Sequence, residues 1–252
     1  MTIGLIVANF LVWFWELKQP GVDVHVFRDG FYPCTLHGQC HIPAPFVVHP
    51  LPWYEGVFTG MFMHASWEHI LGNMLFFWIF GNNVEDTMGR VRFLAFYVGS
   101  GFVAALVQAW VTLHYAGVTA ASVPTVGASG AIAGVLGAYF VLLPRARVLT
   151  LIFFGIILIR EIQAFWFLGI WIGLQLWSGG LTFLHPQSGG GTAFFAHIGG
   201  FAFGLATGLV LLATHGRPRV PPPTRPSRTG RASASATAWP PTSSSTRASP
   251  GR

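Results

Sequence analysis

Charge is scarce in this chain. Charged side chains make up 9% of its 252 residues and hydrophobic ones 52%, whereas a soluble domain carries roughly a quarter charged residues. A water-soluble globular domain is therefore excluded. The many apolar runs of helical length favour spanning helices over a barrel. The first seventeen residues lack the basic start and small-residue cleavage site of a signal peptide, so they read as a first span. About sixteen residues rise roughly 24 Å against a hydrocarbon core of ~30 Å, which leads us to expect the helix to begin upstream of Met1. Internal repeats of the kind that would mark a small transporter are missing. The net charge of +6 does not point to nucleic acid, because seven of the fourteen Lys and Arg lie beyond Gly216. That tail, residues 216–252, is rich in Pro, Ser and Arg, has no aliphatic periodicity, and reads as a disordered cytoplasmic segment beside anionic lipid.

What is present is a series of apolar runs at about Ile3–Leu17, Val57–Phe80, Phe93–Tyr115, Val126–Leu143, Ala164–Trp177 and Thr192–Thr214. A further stretch, Val148–Ile159, is only twelve residues long and suits an interfacial or buried segment better than a span. Arg90 and Arg92 follow the second run, Arg145 and Arg147 the fourth, Arg217 and Arg219 the last. Placing all three pairs in the cytoplasm satisfies the positive-inside rule and leaves one span between Arg147 and the last run. The expected architecture is thus an all-α bundle of six membrane helices over residues 1–215, with both termini cytoplasmic. It carries an unusually long external loop, Lys18–Gly56, between helices one and two. This loop holds the only cysteines, Cys34 and Cys40. A disulfide, two free thiols, or a zinc site completed by His37 and His41 are the alternatives, although the spacing is not a usual zinc pattern. A second external loop, Ser178–Gly191, is rich in glycine and expected to be mobile.

Polar groups inside membrane helices are costly and tend to mark function. Helix two carries His64, His69 and Asn73 in "HASWEHILGNMLFF"; His69 and Asn73 are four apart and share a face. Helix four opens with Ser129 in "GASGAIAG", and helix six with His197 in "AHIGGFAFGLATG". A single intramembrane serine commonly back-bonds to a carbonyl, and a single histidine commonly packs. Here the topology puts Ser129 and His197, 68 residues apart, at the same outer depth. Gly130 and Gly134 on helix four, and Gly200, Gly204 and Gly208 on helix six, have the spacing that lets two helix backbones approach closely. If those faces meet, Ser129 and His197 stand side by side. The imidazole then takes the serine proton. Asn73, a His69 ring N–H and the free N–H groups at the start of helix four supply donors for a developing oxyanion. No acidic residue is placed to orient His197; neither Glu68 nor Glu161 is expected to touch it, so the pair is read as a dyad.

Gly127-Ala128-Ser129-Gly130, the His69-x-x-x-Asn73 pair and Ala196-His197-x-x-Gly200-x-x-x-Gly204 together resemble the signature of rhomboid intramembrane serine proteases of bacterial type, in that family's order, most strongly over residues 57–212. The resemblance implies Ser129 as nucleophile and His197 as general base. It implies an oxyanion hole of Asn73, His69 and the Ser129 N–H, with His64 as a supporting polar residue near a water-filled cavity. "GNNVEDTMGR" resembles the family's turn after helix two, where Glu85 is structural. The chain departs from the family in the external loop, where Trp53-Tyr54-Glu55 stands without the expected arginine. The implied activity is hydrolysis of a peptide bond in or next to a transmembrane helix of a membrane-protein substrate, with no metal or cofactor. Substrate would pass between helices two and five. The alternative is a rhomboid-fold protein that binds or escorts membrane clients without cleaving them.

Overall fold

The computed structural model describes residues 1–18, 21–38, 40–42, 50–153, 157–184 and 193–216. Among these the chain is mostly helical. In order come α1 (Thr2–Glu16), α2 (Val22–Asp29), α3 (Trp53–Gly60), α4 (Trp67–Met88), α5 (Arg90–Val111), α6 (Gly117–Ala121) and α7 (Ser129–Leu142). An antiparallel hairpin of β1 (Arg147–Phe153) and β2 (Ile157–Gln163) follows, then α8 (Ala164–Leu184) and α9 (Phe194–His215). Three stretches are long and apolar enough to cross a bilayer: Arg90–Ala121, Ala164–Thr182 and Phe194–Thr214. The helices α1 and α7 are apolar but shorter.

The helix α7 is the centre of the bundle. Every residue from Gly130 to Tyr139 is buried, as expected for a helix that is apolar all round. Its neighbours are α9, α5, α4 and α8. Because lipid is as apolar as leucine, the bundle is held by close packing rather than by exclusion of water. Glycine makes that packing possible between α7 and α9. A Cβ built on Gly204 would collide with the Gly134 carbonyl, and one on Gly200 with the Gly130 carbonyl. The expected meeting of the two glycine faces is therefore present in atomic detail. A second packing layer is aromatic: Phe77 of α4 stacks on Tyr97 at 5.0 Å, and Phe80 meets Tyr139 edge-on at 4.9 Å. Glu85, near the end of α4, holds the start of α1. Its carboxylate accepts from the Thr2 N–H at 2.7 Å, the Thr2 hydroxyl at 2.8 Å and the Met1 nitrogen.

Several element boundaries differ from the sequence reading. The apolar stretch Val57–Phe80 is not one helix. It breaks after Gly60 and restarts at α4, where the Ser66 hydroxyl accepts the His69 N–H at 3.2 Å as an N-cap. Gly60 packs closely on Phe31 and the Thr125 carbonyl, where a Cβ would come within 3.1 Å of that oxygen. The third run ends its α-helix at Val111 and passes through a π-turn, Thr112–Ala116, into α6. The described residues of Val148–Ile159 lie in the paired strands β1 and β2. Ser178, Gly179 and Gly180 belong to α8 rather than to an external loop, and Gly179 packs against Ile198 and Phe195. Gly189, Gly190 and Gly191 lie outside the described residues, as does the tail from Arg217 onward.

The described residues between α1 and α4 are tied down by several contacts. Cys34 and Cys40 form a disulfide, so the zinc alternative with His37 and His41 falls: both thiols are already used. Phe31 and Thr125 exchange backbone hydrogen bonds at 3.2 and 2.7 Å. The Thr59 hydroxyl donates to the Asp29 carbonyl at 2.6 Å. The Tyr32 hydroxyl donates to the Phe27 carbonyl at 2.6 Å, and burial pushes its phenol up to about 12. Trp53 opens α3 and meets Phe102 of α5 edge-on at 6.4 Å. This aromatic contact ties the start of α3 to the bundle.

Candidate active site

Ser129 is the first residue of α7, and the first helical hydrogen bond runs from the Ile132 N–H to the Ala128 carbonyl. The N–H groups of the opening turn therefore have no intrahelical acceptor and face the helix's positive end. His197 lies in the first turn of α9, buried. The seam between these helices brings the two side chains together: His197 Nε2 is 2.8 Å from Ser129 Oγ. On its other side, His197 Nδ1 is 2.8 Å from the side-chain oxygen of Gln175 on α8. An amide oxygen only accepts, so Nδ1 carries the proton and Nε2 is the acceptor for the serine hydroxyl. Trp171, one turn before Gln175, lies with its ring 5.7 Å from the imidazole.

A cavity of about 1100 Å³ opens on this pair and is bordered by Ser129, His197, His69, Asn73, Gln108 and Trp171. The Asn73 Nδ2 makes no hydrogen bond among the described residues. His69 Nδ1 accepts the Ala65 N–H at 3.4 Å, which leaves its Nε2 to carry the proton and act as a donor. That Nε2 lies against Gly127, where a Cβ would come within 2.6 Å of it and 3.7 Å of Ser129 Oγ. Gly127 also has φ +124°, outside the range of ordinary side chains. Its N–H donates to the Gly60 carbonyl at 2.8 Å. Glycine is thus required at position 127 twice over, for backbone shape and for room beside His69. Gly130 has a related duty, since a Cβ there would press on Ala104 at 2.7 Å.

His64 stands differently from the sequence expectation. It is fully buried and does not border the cavity. Its ring packs edge-on against His69 at 5.0 Å, and its backbone N–H reaches the buried Glu16 carboxylate at 3.3 Å. It supports His69 from behind. Glu161 sits on the hairpin, paired with Arg147 at 3.1 Å, beyond the opposite end of α7 from Ser129. Two residues went unread in the sequence. One is Gln175. The other is Gln108, whose side-chain oxygen accepts the Ala196 N–H at 3.1 Å, a donor it shares with the Ala193 carbonyl at 3.0 Å at the start of α9. Each was visible as an amide in an apolar run, which is a costly placement unless it is partnered.

A hydrogen-bonded serine and histidine on the wall of a cavity among apolar helices define a helical membrane protein with an internal polar site. The Rhomboid domain matches residues 52–214, more than half of the chain, and the protein belongs to the rhomboid family. Rhomboid protein 1, mitochondrial, of Saccharomyces cerevisiae is 33% identical over 99 residues, which cover 38% of this chain and 28% of its own length. RHOMBOID-like protein 1 of Arabidopsis thaliana is 31% identical over 187 residues, 71% of this chain and 39% of its own length. Rhomboid-like protein 11, chloroplastic, also of Arabidopsis thaliana, is 37% identical over 94 residues, 37% of this chain and 31% of its own length. The chain thus spans well under half the length of the curated relatives it matches.

Proposed function

We propose that the protein is an intramembrane serine endopeptidase that hydrolyses a peptide bond in or next to a transmembrane helix of a membrane-protein substrate. The observation that carries this reading is the 2.8 Å hydrogen bond between Ser129 Oγ and His197 Nε2 at the cavity wall. Serine is a poor nucleophile until a base takes its proton. His197 Nε2 takes it as Oγ attacks the scissile carbonyl, and returns it to the leaving amine. The oxyanion formed meanwhile is held by the Asn73 amide, the His69 Nε2–H and the Ser129 backbone N–H. Water then attacks the acyl-enzyme with His197 again as base, which restores the serine.

The topology that goes with this reading has α1, α4, α5, α7, α8 and α9 as six membrane spans within residues 1–215, the segment 18–56 as a long external loop, and both termini in the cytoplasm of a cell membrane. It is supported by Arg90, Arg92, Arg145 and Arg147, which all lie where α4 passes into α5 or just after α7. Residues 216–252 form a separate cytoplasmic tail. Partners are the lipid bilayer and transmembrane substrates. The deciding experiment incubates the purified protein with a model transmembrane substrate and, in parallel, with a fluorophosphonate probe. Wild type should cleave and be labelled, and Ser129→Ala should do neither. Labelling or cleavage that survives Ser129→Ala places the nucleophile elsewhere.

A further inference from the structure

We propose that Gln175 is a positioning residue for His197, and that through Gln175 and Trp171 the helix α8 sets the tautomer and ring plane of the imidazole. This rests on the endopeptidase reading. The backbone of His197 is fixed by other elements: the glycine seam with α7, and the Gln108 side chain of α5 that takes the Ala196 N–H. The ring has three neighbours, Ser129 Oγ at Nε2, the Gln175 oxygen at Nδ1, and the tilted Trp171 ring 5.7 Å away. Trp171 and Gln175 are four apart on one helix and so share a face. Their neighbours Leu174, Leu176 and Trp177 are exposed on the outside of the bundle. Gln175 is the single polar side chain in the apolar run Ala164–Trp177. In hydrocarbon such a group is stable only with a partner, and its partner is the imidazole.

The chemistry follows from what an amide is. A carboxylate at this position would hold the proton on Nδ1 and also attract the imidazolium formed during proton transfer. Gln175 does the first and contributes only a dipole to the second. His197 therefore works as a base oriented by a neutral group. Among the described residues the other titratable side chains bordering the cavity are His69 and Glu68 of α4 and Tyr115 beyond α5; α7 offers Ser129 and α8 no ionisable group. Replacing the amide by its isosteric acid would therefore place a new charge directly on Nδ1.

The test measures fluorophosphonate labelling and cleavage rates against pH for the full-length protein in detergent, with thermal unfolding recorded for each variant. Gln175→Leu should lower kcat about ten- to a hundredfold, as a misplaced catalytic group does, with KM changed less. Gln175→Glu should keep more activity than Gln175→Leu and move the acidic limb of the rate profile upward by roughly one pH unit or more, because an adjacent opposite charge raises the histidine pKa. A purely structural glutamine would leave that limb in place. Gln175→Leu within twofold of wild type, or a Gln175→Glu profile that superimposes on wild type, overturns the proposal. Should Gln175→Leu fail to fold, the Gln175→Glu profile decides alone. Absence of labelling in folded wild type is a separate outcome: it sinks the endopeptidase reading, and this inference with it.

Discussion

Substituting Gly204 by Ala adds one methyl group to a seam that has no space for it. The new Cβ would press on the Gly134 carbonyl oxygen and sit 2.6 Å from the carbonyl carbon and 2.8 Å from the Cα of Gly134. Ordinary contact between carbon atoms is about 3.5–4.0 Å, so the helices must part by roughly 1 Å. Both sides of the contact are backbone, and no rotamer change relieves it. Overpacking of this kind costs about 1–3 kcal/mol. The same displacement matters more for chemistry. Gly134 lies about a turn and a half below Ser129, and Gly204 about two turns below His197. A parting carried to the top of the seam stretches the 2.8 Å Ser129–His197 hydrogen bond toward ~3.8 Å, and a ~1 Å misplacement of a catalytic group costs about a hundredfold. Gly173→Ala is the control, since nothing lies within 4 Å of a Cβ at that position. The control should keep its rate within about twofold and gain slightly in stability, because alanine is favoured over glycine in helices by about 1 kcal/mol. Initial cleavage rates and melting temperatures measured side by side decide the matter. Wild-type turnover in Gly204→Ala would refute the claim that this seam sets the geometry of the pair.

Other expectations follow from the same contacts. His197→Ala should abolish measurable cleavage, and combining it with Ser129→Ala should make nothing worse, because residues that act as a unit are not additive. Asn73→Ala should lose roughly ten- to a thousandfold in kcat, the cost of one oxyanion donor among several. Glu85→Ala removes the acceptor for the Thr2 N–H and hydroxyl and should lower stability by about 1–3 kcal/mol, seen as a lower melting temperature with the initial labelling rate unchanged; a large loss of labelling would tie α1 directly to the site. Truncation after Gly216 should leave cleavage of a detergent-solubilised substrate within about twofold, and a larger loss would show that the tail supports the fold or the substrate path.

Ser129 and His197 were legible as a pair because the glycine spacing on their helices tells which faces meet, and those faces do meet. The Asn73–His69 face was legible for the same reason of period. The hairpin was not, because a short apolar stretch such as Val148–Ile159 reads alike as strand or buried helix. The break at Met61–Ala65 hid inside an apolar run whose only punctuation is Gly60 and the capping Ser66. His64 was placed by resemblance near the cavity, yet depth along a helix says nothing of which way a loop side chain turns. Gln175 was not legible because a neutral amide on a helix with no motif carries no charge to mark it as the partner of His197.

The two hydrogen bonds between Phe31 and Thr125, with the Gly127 N–H held by the Gly60 carbonyl, splice the residues that precede α4 directly into the few residues that lead to Ser129. The position of the serine is thus set by this segment as well as by the α7–α9 seam. A substitution of the buried Phe31 that disturbs these bonds should therefore change the fluorophosphonate labelling rate at Ser129, although Phe31 does not border the large cavity.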